Sequence, residues 1–247
     1  MPRVLAHRGF VPAGAEGVAE NTAAAFAAAH ALGAVYVESD CHLTADGHVV
    51  LFHDDDLTRV ASDPRPVAAV RLAELEQIMA SRGGLLSLPD ALDAFPTLRF
   101  NLDVKAPAAA APVGRAIARA SDRVLLTSFS DRRRADALAA ARAEGGDPAT
   151  SAGSGTIARV LAAVASRSPA LVRRALTGID ALQVPERHGR VRIVTRRFLD
   201  AVHRAGVEVH VWTVNAAEDM TRLLDLGVDG LVTDRADIAH RVASARA

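Results

Sequence analysis

A single cysteine among 247 residues means that no internal disulfide can staple this chain. That residue, Cys41, leaves the redox compartment open and is most simply a small apolar side chain. Net charge is missing as well, because 29 Lys and Arg balance 29 Asp and Glu. A nucleic-acid partner calls for a basic stripe, so none is expected, and an anionic membrane surface is disfavoured on the same ground. No apolar run approaches the ~18 residues of a membrane span. The opening MPRVLAHRGF offers too short a hydrophobic stretch for a secretory signal, so the expectation is a cytoplasmic protein.

Half of the residues are hydrophobic, enough for a substantial core. Eight β-like runs, at 3–7, 34–40, 98–105, 123–129, 148–153, 180–185, 207–214 and 228–234, alternate with helix-like segments. The fifth is short and poor in large apolar residues. Asn21 or Thr22, Ser130, Thr195 and Asn215 stand where helix N-caps belong, and Gly33, Gly145, Gly206 and Gly227 where helices stop. This alternation predicts an α/β fold, a (β/α)8 TIM barrel in one domain over 1–247. A doubly wound sheet is the rival, but HRGFVPAGAEG after the first run lacks its G-x-G-x-x-G. Segment 55–97 reads as two short helices, leaving little lid over the barrel mouth.

The stretch VESDCHLTADGHVVLFHDDDLTR (37–59) carries the unusual chemistry. Side chains alternate along a strand, so Glu38, Asp40 and His42 share one face. Asp-Gly is a strong hairpin signal, and a two-residue turn at Asp46-Gly47 sets His53 opposite Asp40, about 5 Å apart at the β-carbons. Strand two is thus expected to carry a β-hairpin extension. Its C-terminal end lies at the barrel mouth, where His7-Arg8-Gly9, the pair Asp103 and Lys105, Trp212 and Asp234 also terminate strands. Each residue alone has a plain structural reading: solvated acids on an edge, an asparagine cap at Asn21, a tryptophan filling the barrel. His42 and the run Asp54–Asp56 read as surface or supporting groups. Together, three carboxylates, two histidines and two cations at one end read as a site. Oxygen ligands suit a hard divalent cation, Mg²⁺ or Ca²⁺. Zinc is disfavoured, since C-x-x-C and H-E-x-x-H are both missing. Arg8 and Lys105 with such a cation make a phosphate socket, and two free imidazoles can divide acid and base duties, which predicts metal-assisted phosphoryl chemistry.

At these residues the chain resembles the glycerophosphodiester phosphodiesterase family. The blocks AHRG (6–9), ENT (20–22), VESD (37–40), LTADGHVVLFHD (43–54) with LTR (57–59), LDVK (102–105), TSF (127–129), VWTVN (211–215) and VDGLVTD (228–234) run in family order. The resemblance implies a barrel that hydrolyses glycerophosphodiesters, small-molecule substrates, to glycerol 3-phosphate and an alcohol. It implies that Glu38, Asp40 and Asp103 hold one divalent cation and that His7 and His53 are acid and base. Arg8 and Lys105 would hold phosphate, and Trp212 would line the glycerol pocket. Asp103 departs from the family's usual Glu by one methylene. Two alternatives remain: a phospholipase-D-like lyase forming cyclic phosphates, and a barrel that binds phosphodiesters without turnover. Amidohydrolase barrels are disfavoured because LAHRG lacks their H-x-H.

Overall fold

The structure, a computed structural model, describes residues 2–246. Its strands in chain order are β1 (Arg3–His7), β2 (Tyr36–Leu43), β3 (Val49–Leu51), β4 (Asp56–Leu57), β5 (Asp63–Pro66), β6 (Arg99–Val104), β7 (Val124–Thr127), β8 (Ala149–Thr150), β9 (Ala181–Pro185), β10 (Arg187–His188), β11 (Val191–Arg192), β12 (Glu208–Trp212) and β13 (Gly230–Thr233). Eight of them pair in parallel in the order β8-β7-β6-β2-β1-β13-β12-β9. The two ends of that order meet through a parallel bridge between Ser151 and Ala181, which closes the barrel. All eight expected staves are present. The weak fifth is only the two residues of β8, as its small side chains allow.

Alternation along the staves separates two environments. Val4 and Ala6, Val37 and Cys41, Leu102 and Val104, and Val209 and Val211 belong to the main apolar core. That core lies between sheet and helices and includes Phe26 stacked 6.1 Å from Phe100. The intervening positions, among them Glu38, Asp40, Asn101, Asp103 and His210, are buried polar residues. The barrel lumen is therefore charged and hydrogen-bonded, and the hydrophobic stabilisation comes mainly from the outer layer.

Around the hairpin the structure departs from expectation. The turn uses three residues rather than two: Thr44 N–H donates to the His48 carbonyl at 2.9 Å and Gly47 N–H to the Thr44 carbonyl at 3.0 Å. Gly47 sits at φ +84°, the left-handed position such loops require. The register is consequently one residue off the two-residue expectation, with Cys41 opposite Leu51 and His42 opposite Val50. Phe52, not His53, faces Asp40 across the ladder, its N–H donating to the Asp40 carbonyl at 2.9 Å. Segment 55–97 supplies the two expected helices, Leu72–Met79 and Leu88–Ala94. It also forms the β4–β5 ribbon and a one-turn helix at Thr58–Ala61. Val50, Phe52, Leu57, Val67, Val70, Leu75 and Met79 form a second, smaller core under the hairpin. Among the described residues no helix is long and apolar enough to cross a membrane.

Candidate active site

Strand β1 delivers His7 and then turns sharply. Arg8 and Gly9 both adopt positive φ, +55° and +86°. A β-carbon on Gly9 would lie 2.9 Å from the backbone of Ala25, so only glycine fits there. The turn leaves His7 Nδ1 2.6 Å from Asp234 Oδ1 at the end of β13, while Nε2 stands 3.8 Å from Glu38 Oε2. Asn215 braces Asp234 twice: its Nδ2 donates to Oδ2 at 2.7 Å and its Oδ1 accepts the Asp234 N–H at 2.9 Å. The hydrogen bond from His7, helped by Asn215, holds the Asp234 carboxyl below its ordinary range against the opposing effect of burial.

His53 is arranged in the same way by other elements. Its Nδ1 is 2.7 Å from Asp54 Oδ1, and Asp54 Oδ2 accepts from Arg59 Nε at 2.6 Å. Burial pushes the Asp54 carboxyl up, but the bonds from Arg59 and His53 outweigh it and the net direction is down. Arg59 also reaches Glu20, which in turn accepts from Arg8 Nη1 at 2.9 Å. His42 is buried rather than exposed, and its Nε2 lies 3.3 Å from the His53 carbonyl, where the chain has left the sheet.

Between the imidazoles lie the acids. Lys105 Nζ bridges Asp40 Oδ1 and Asp103 Oδ2, 2.8 Å from each. Burial lowers the Lys105 ammonium, yet the two carboxylates outweigh that and raise it above its ordinary value. Asn21 Nδ2 donates to Asp40 Oδ2 at 3.1 Å, and Arg8 Nε stands 3.4 Å from the same oxygen. Glu38 is less well compensated. Burial first, then the charges of Asp40 and Asp103, push its carboxyl well up despite Arg8 and Lys105. Asp103 is raised by burial, with Lys105 opposing. Its Oδ1 is buried without a hydrogen-bond partner.

All eight residues expected at a site, His7, Arg8, Glu38, Asp40, His53, Asp103, Lys105 and Trp212, line one cavity of about 760 Å³ at the barrel mouth. His53 reaches it despite the changed register because the arm leaves the ladder after Phe52, the last residue bonded to β2. Of the two candidates before the first helix it is Thr22 that caps, and Asn21 and Asn215 are spent elsewhere. Thr22 caps its helix by accepting from the Ala25 N–H at 3.2 Å, and Asn21 accepts from Ser39 Oγ at 2.7 Å while holding Asp40. Ala216, not Asn215, occupies the start of helix Ala217–Leu226, without a side-chain cap. The sequence placed Asp54 only among surface or supporting groups and Asp234 only at a strand end, and it gave no role to Phe129 or the β10–β11 ribbon. The two acids sit inside quoted blocks, HD and VTD. The ribbon's signal was the two-residue Gly189-Arg190 loop, with Gly189 at φ +56°.

The donor set can be weighed against a divalent cation. Three buried carboxylates, one with an orphaned oxygen and one short of positive charge, match the chemistry of a hard cation. Among the described residues no three His, Cys, Asp or Glu side chains are gathered as a ready ligand group. Lys105 is the counter-charge that lies between two of the acids.

Fold and site define a (β/α)8 barrel with an acid- and imidazole-lined mouth at the strand C-termini, where barrel enzymes keep their chemistry. The chain belongs to the glycerophosphoryl diester phosphodiesterase family, which it matches over residues 7–238. It is 37% identical over 245 residues to a Mycobacterium tuberculosis protein named "Probable glycerophosphodiester phosphodiesterase 2", covering 98% of this chain and 90% of that one. A glycerophosphodiester phosphodiesterase structure from Agrobacterium tumefaciens superposes with a TM-score of 0.75 at 22% identity, covering 99% of this chain and 100% of that one. A phosphodiesterase from Oleispira antarctica, solved with its product sn-glycerol-3-phosphate, gives a TM-score of 0.75 at 22% identity, covering 99% and 97%.

Proposed function

We propose that this protein hydrolyses glycerophosphodiesters to glycerol 3-phosphate and an alcohol, with His7 and His53 exchanging the protons. One observation carries the reading: two imidazoles, each with Nδ1 engaged by its own carboxylate, border one acid- and cation-lined cavity. A carboxylate at Nδ1 fixes tautomer and ring orientation, leaving Nε2 to take or give a proton. His53 acts as base on the glycerol hydroxyl next to the phosphoester, and that oxygen forms a new bond to phosphorus. His7 protonates the departing alcohol oxygen as its P–O bond breaks. Water then opens the cyclic phosphate with the two roles reversed, so protons and bonds balance. Glu38, Asp40 and Asp103 are the residues that would hold a divalent cation. When bound, it would supply a Lewis acid for a phosphoryl oxygen. Arg8 and Lys105 bring positive charge to the phosphate, and Trp212 packs against the glycerol.

The test is to incubate the protein with glycerophosphocholine and follow phosphorus by NMR. Glycerol 3-phosphate is the expected product. A cyclic phosphate that persists would reassign the protein as a lyase. Tight binding without any product would make it a binding barrel.

A further inference from the structure

Glu20 does not line the mouth cavity, yet it is bonded toward both halves of the machinery around it. Its Oε1 accepts from Arg8 Nη1 at 2.9 Å and from Arg59 Nη2 at 2.5 Å. Arg59 Nε donates to Asp54 at 2.6 Å, and Asp54 lies 2.7 Å from His53 Nδ1. On the other side Arg8 Nε stands 3.4 Å from Asp40 Oδ2. Charge therefore alternates without a gap from Asp54 through Arg59, Glu20 and Arg8 to Asp40. Two guanidinium groups that reach one carboxylate oxygen repel each other, and Glu20 is the charge that holds them together.

Backbone hydrogen bonds fix this carboxylate from both sides. The Ala19 N–H donates to the Arg82 carbonyl at 2.8 Å, and the Asn21 N–H to the Arg8 carbonyl at 2.8 Å. The arm that carries His53 is held far less firmly. Beyond Phe52 it has left the ladder, and its next elements are the two-residue β4 and the single turn Thr58–Ala61. Between residues 52–66 and the turn at 8–22, the pair of Arg59 with Glu20 is the one hydrogen bond or ion pair among the described residues. An isolated exposed pair contributes little, whereas an alternating network on a fixed backbone orders the groups it joins.

We propose that Glu20 is a positioning residue for the phosphodiesterase reaction, a single carboxylate that sets the phosphate-holding Arg8 and the base His53 in one register. It touches neither the substrate nor the reacting atoms. It acts on binding through Arg8, and on the base through Arg59 and Asp54. The inference rests on the phosphodiesterase reading, which gives Arg8 and His53 their roles.

The test compares the intact wild type with Glu20→Ala, Glu20→Gln, Arg59→Met and the double variant Glu20→Ala/Arg59→Met. For each, kcat and KM are measured on glycerophosphocholine with Mg²⁺ or Ca²⁺ supplied, and Tm is measured alongside. A misplacement of about 1 Å at a reacting group can cost on the order of 10²-fold, so Glu20→Ala should lower kcat by roughly 10–100-fold. KM should rise as Arg8 loses its anchor, while Tm stays within about 2 °C of wild type. Glu20→Gln keeps the shape and the accepting oxygen, and it should recover part of both losses. Arg59→Met should lower kcat and leave KM alone, because Arg8 keeps Glu20. The double variant should be no slower than the slower single one, with the KM of Glu20→Ala. Wild-type kcat and KM in Glu20→Gln and in folded Glu20→Ala overturn the inference, and so does a fall in Tm alone. Losses of kcat that multiply in the double variant overturn the route through Arg59. No turnover by the wild type overturns the phosphodiesterase reading instead.

Discussion

His7 and His53 come from distant parts of the chain yet meet the cavity with the same wiring, Nδ1 on a carboxylate and Nε2 free. At the residue scale this makes sharp demands. His53→Ala should cut turnover of glycerophosphocholine by roughly 10²–10⁴-fold while cation binding, followed by calorimetry, persists. Glu38→Ala should lose both. Asp234→Asn keeps the shape but no longer dictates the His7 tautomer. It should lower kcat by about 10²-fold or more with KM little changed, whereas a merely structural role would lower Tm and leave kcat alone. The residue types at the site were legible in the sequence because each falls in a recognisable block on or beside a strand of the barrel or its hairpin arm. The supporting cast was harder to read. Asn21 and Asn215 precede helices, and asparagine before a helix reads as a cap. Only the folded chain brings Asp40 and Asp234 within 3.1 Å and 2.7 Å of their amides. Asparagine also tolerates the φ of +58° that Asn21 adopts, which frees its side chain to turn inward.

At the element scale the hairpin is the part that local rules misplace. Asp-Gly forecasts a two-residue turn, but Asp46 is drawn into a longer loop. Its Oδ1 accepts from Thr44 Oγ1 at 2.8 Å and from the Leu72 N–H at 3.0 Å, the latter 26 residues away. A tertiary contact of that range leaves no trace in the hairpin's own sequence. The consequence is that His53 is placed by packing rather than by cross-strand pairing. Phe52 anchors in the small core with Leu57 and Leu75, and His42 holds the His53 carbonyl. Leu75→Ala should therefore cost about 2–5 kcal/mol in urea unfolding. It should also lower kcat although Leu75 is no part of the cavity wall, because the arm carrying His53 loosens. Unchanged kcat in the folded variant would show that His53 does not depend on that core.

At the scale of the whole molecule the barrel was readable from strand and helix alternation, and its closure was not. β8 offers two residues, and the seam rests on a single bridge at Ser151 and Ala181. The polar lumen has a further consequence at its other end. There Glu208 is held by His210 at 3.0 Å and by Arg3 at 2.6 Å, which depress its carboxyl from 4.5 to about 2. A depressed carboxyl adds stability above its unfolded value, and that stability is lost as pH falls from 4.5 toward 2. Glu208 is part-exposed, so screening leaves roughly 1 kcal/mol of this. Glu208→Gln should lower Tm by about 2–4 °C at pH 7 and flatten the loss seen in wild type on acidification. An unaltered acid limb would mean that the pair with Arg3 and His210 contributes nothing.

The central claim is that Glu38, Asp40 and Asp103 hold a divalent cation without which the phosphodiester is not cleaved. Its most direct measurement is the rate of glycerol 3-phosphate release from saturating glycerophosphocholine, first after exhaustive chelation and then during titration with Mg²⁺ or Ca²⁺. The account predicts a background rate in chelator and full, saturable recovery with one of the two ions. A rate in chelator equal to that with metal would contradict it.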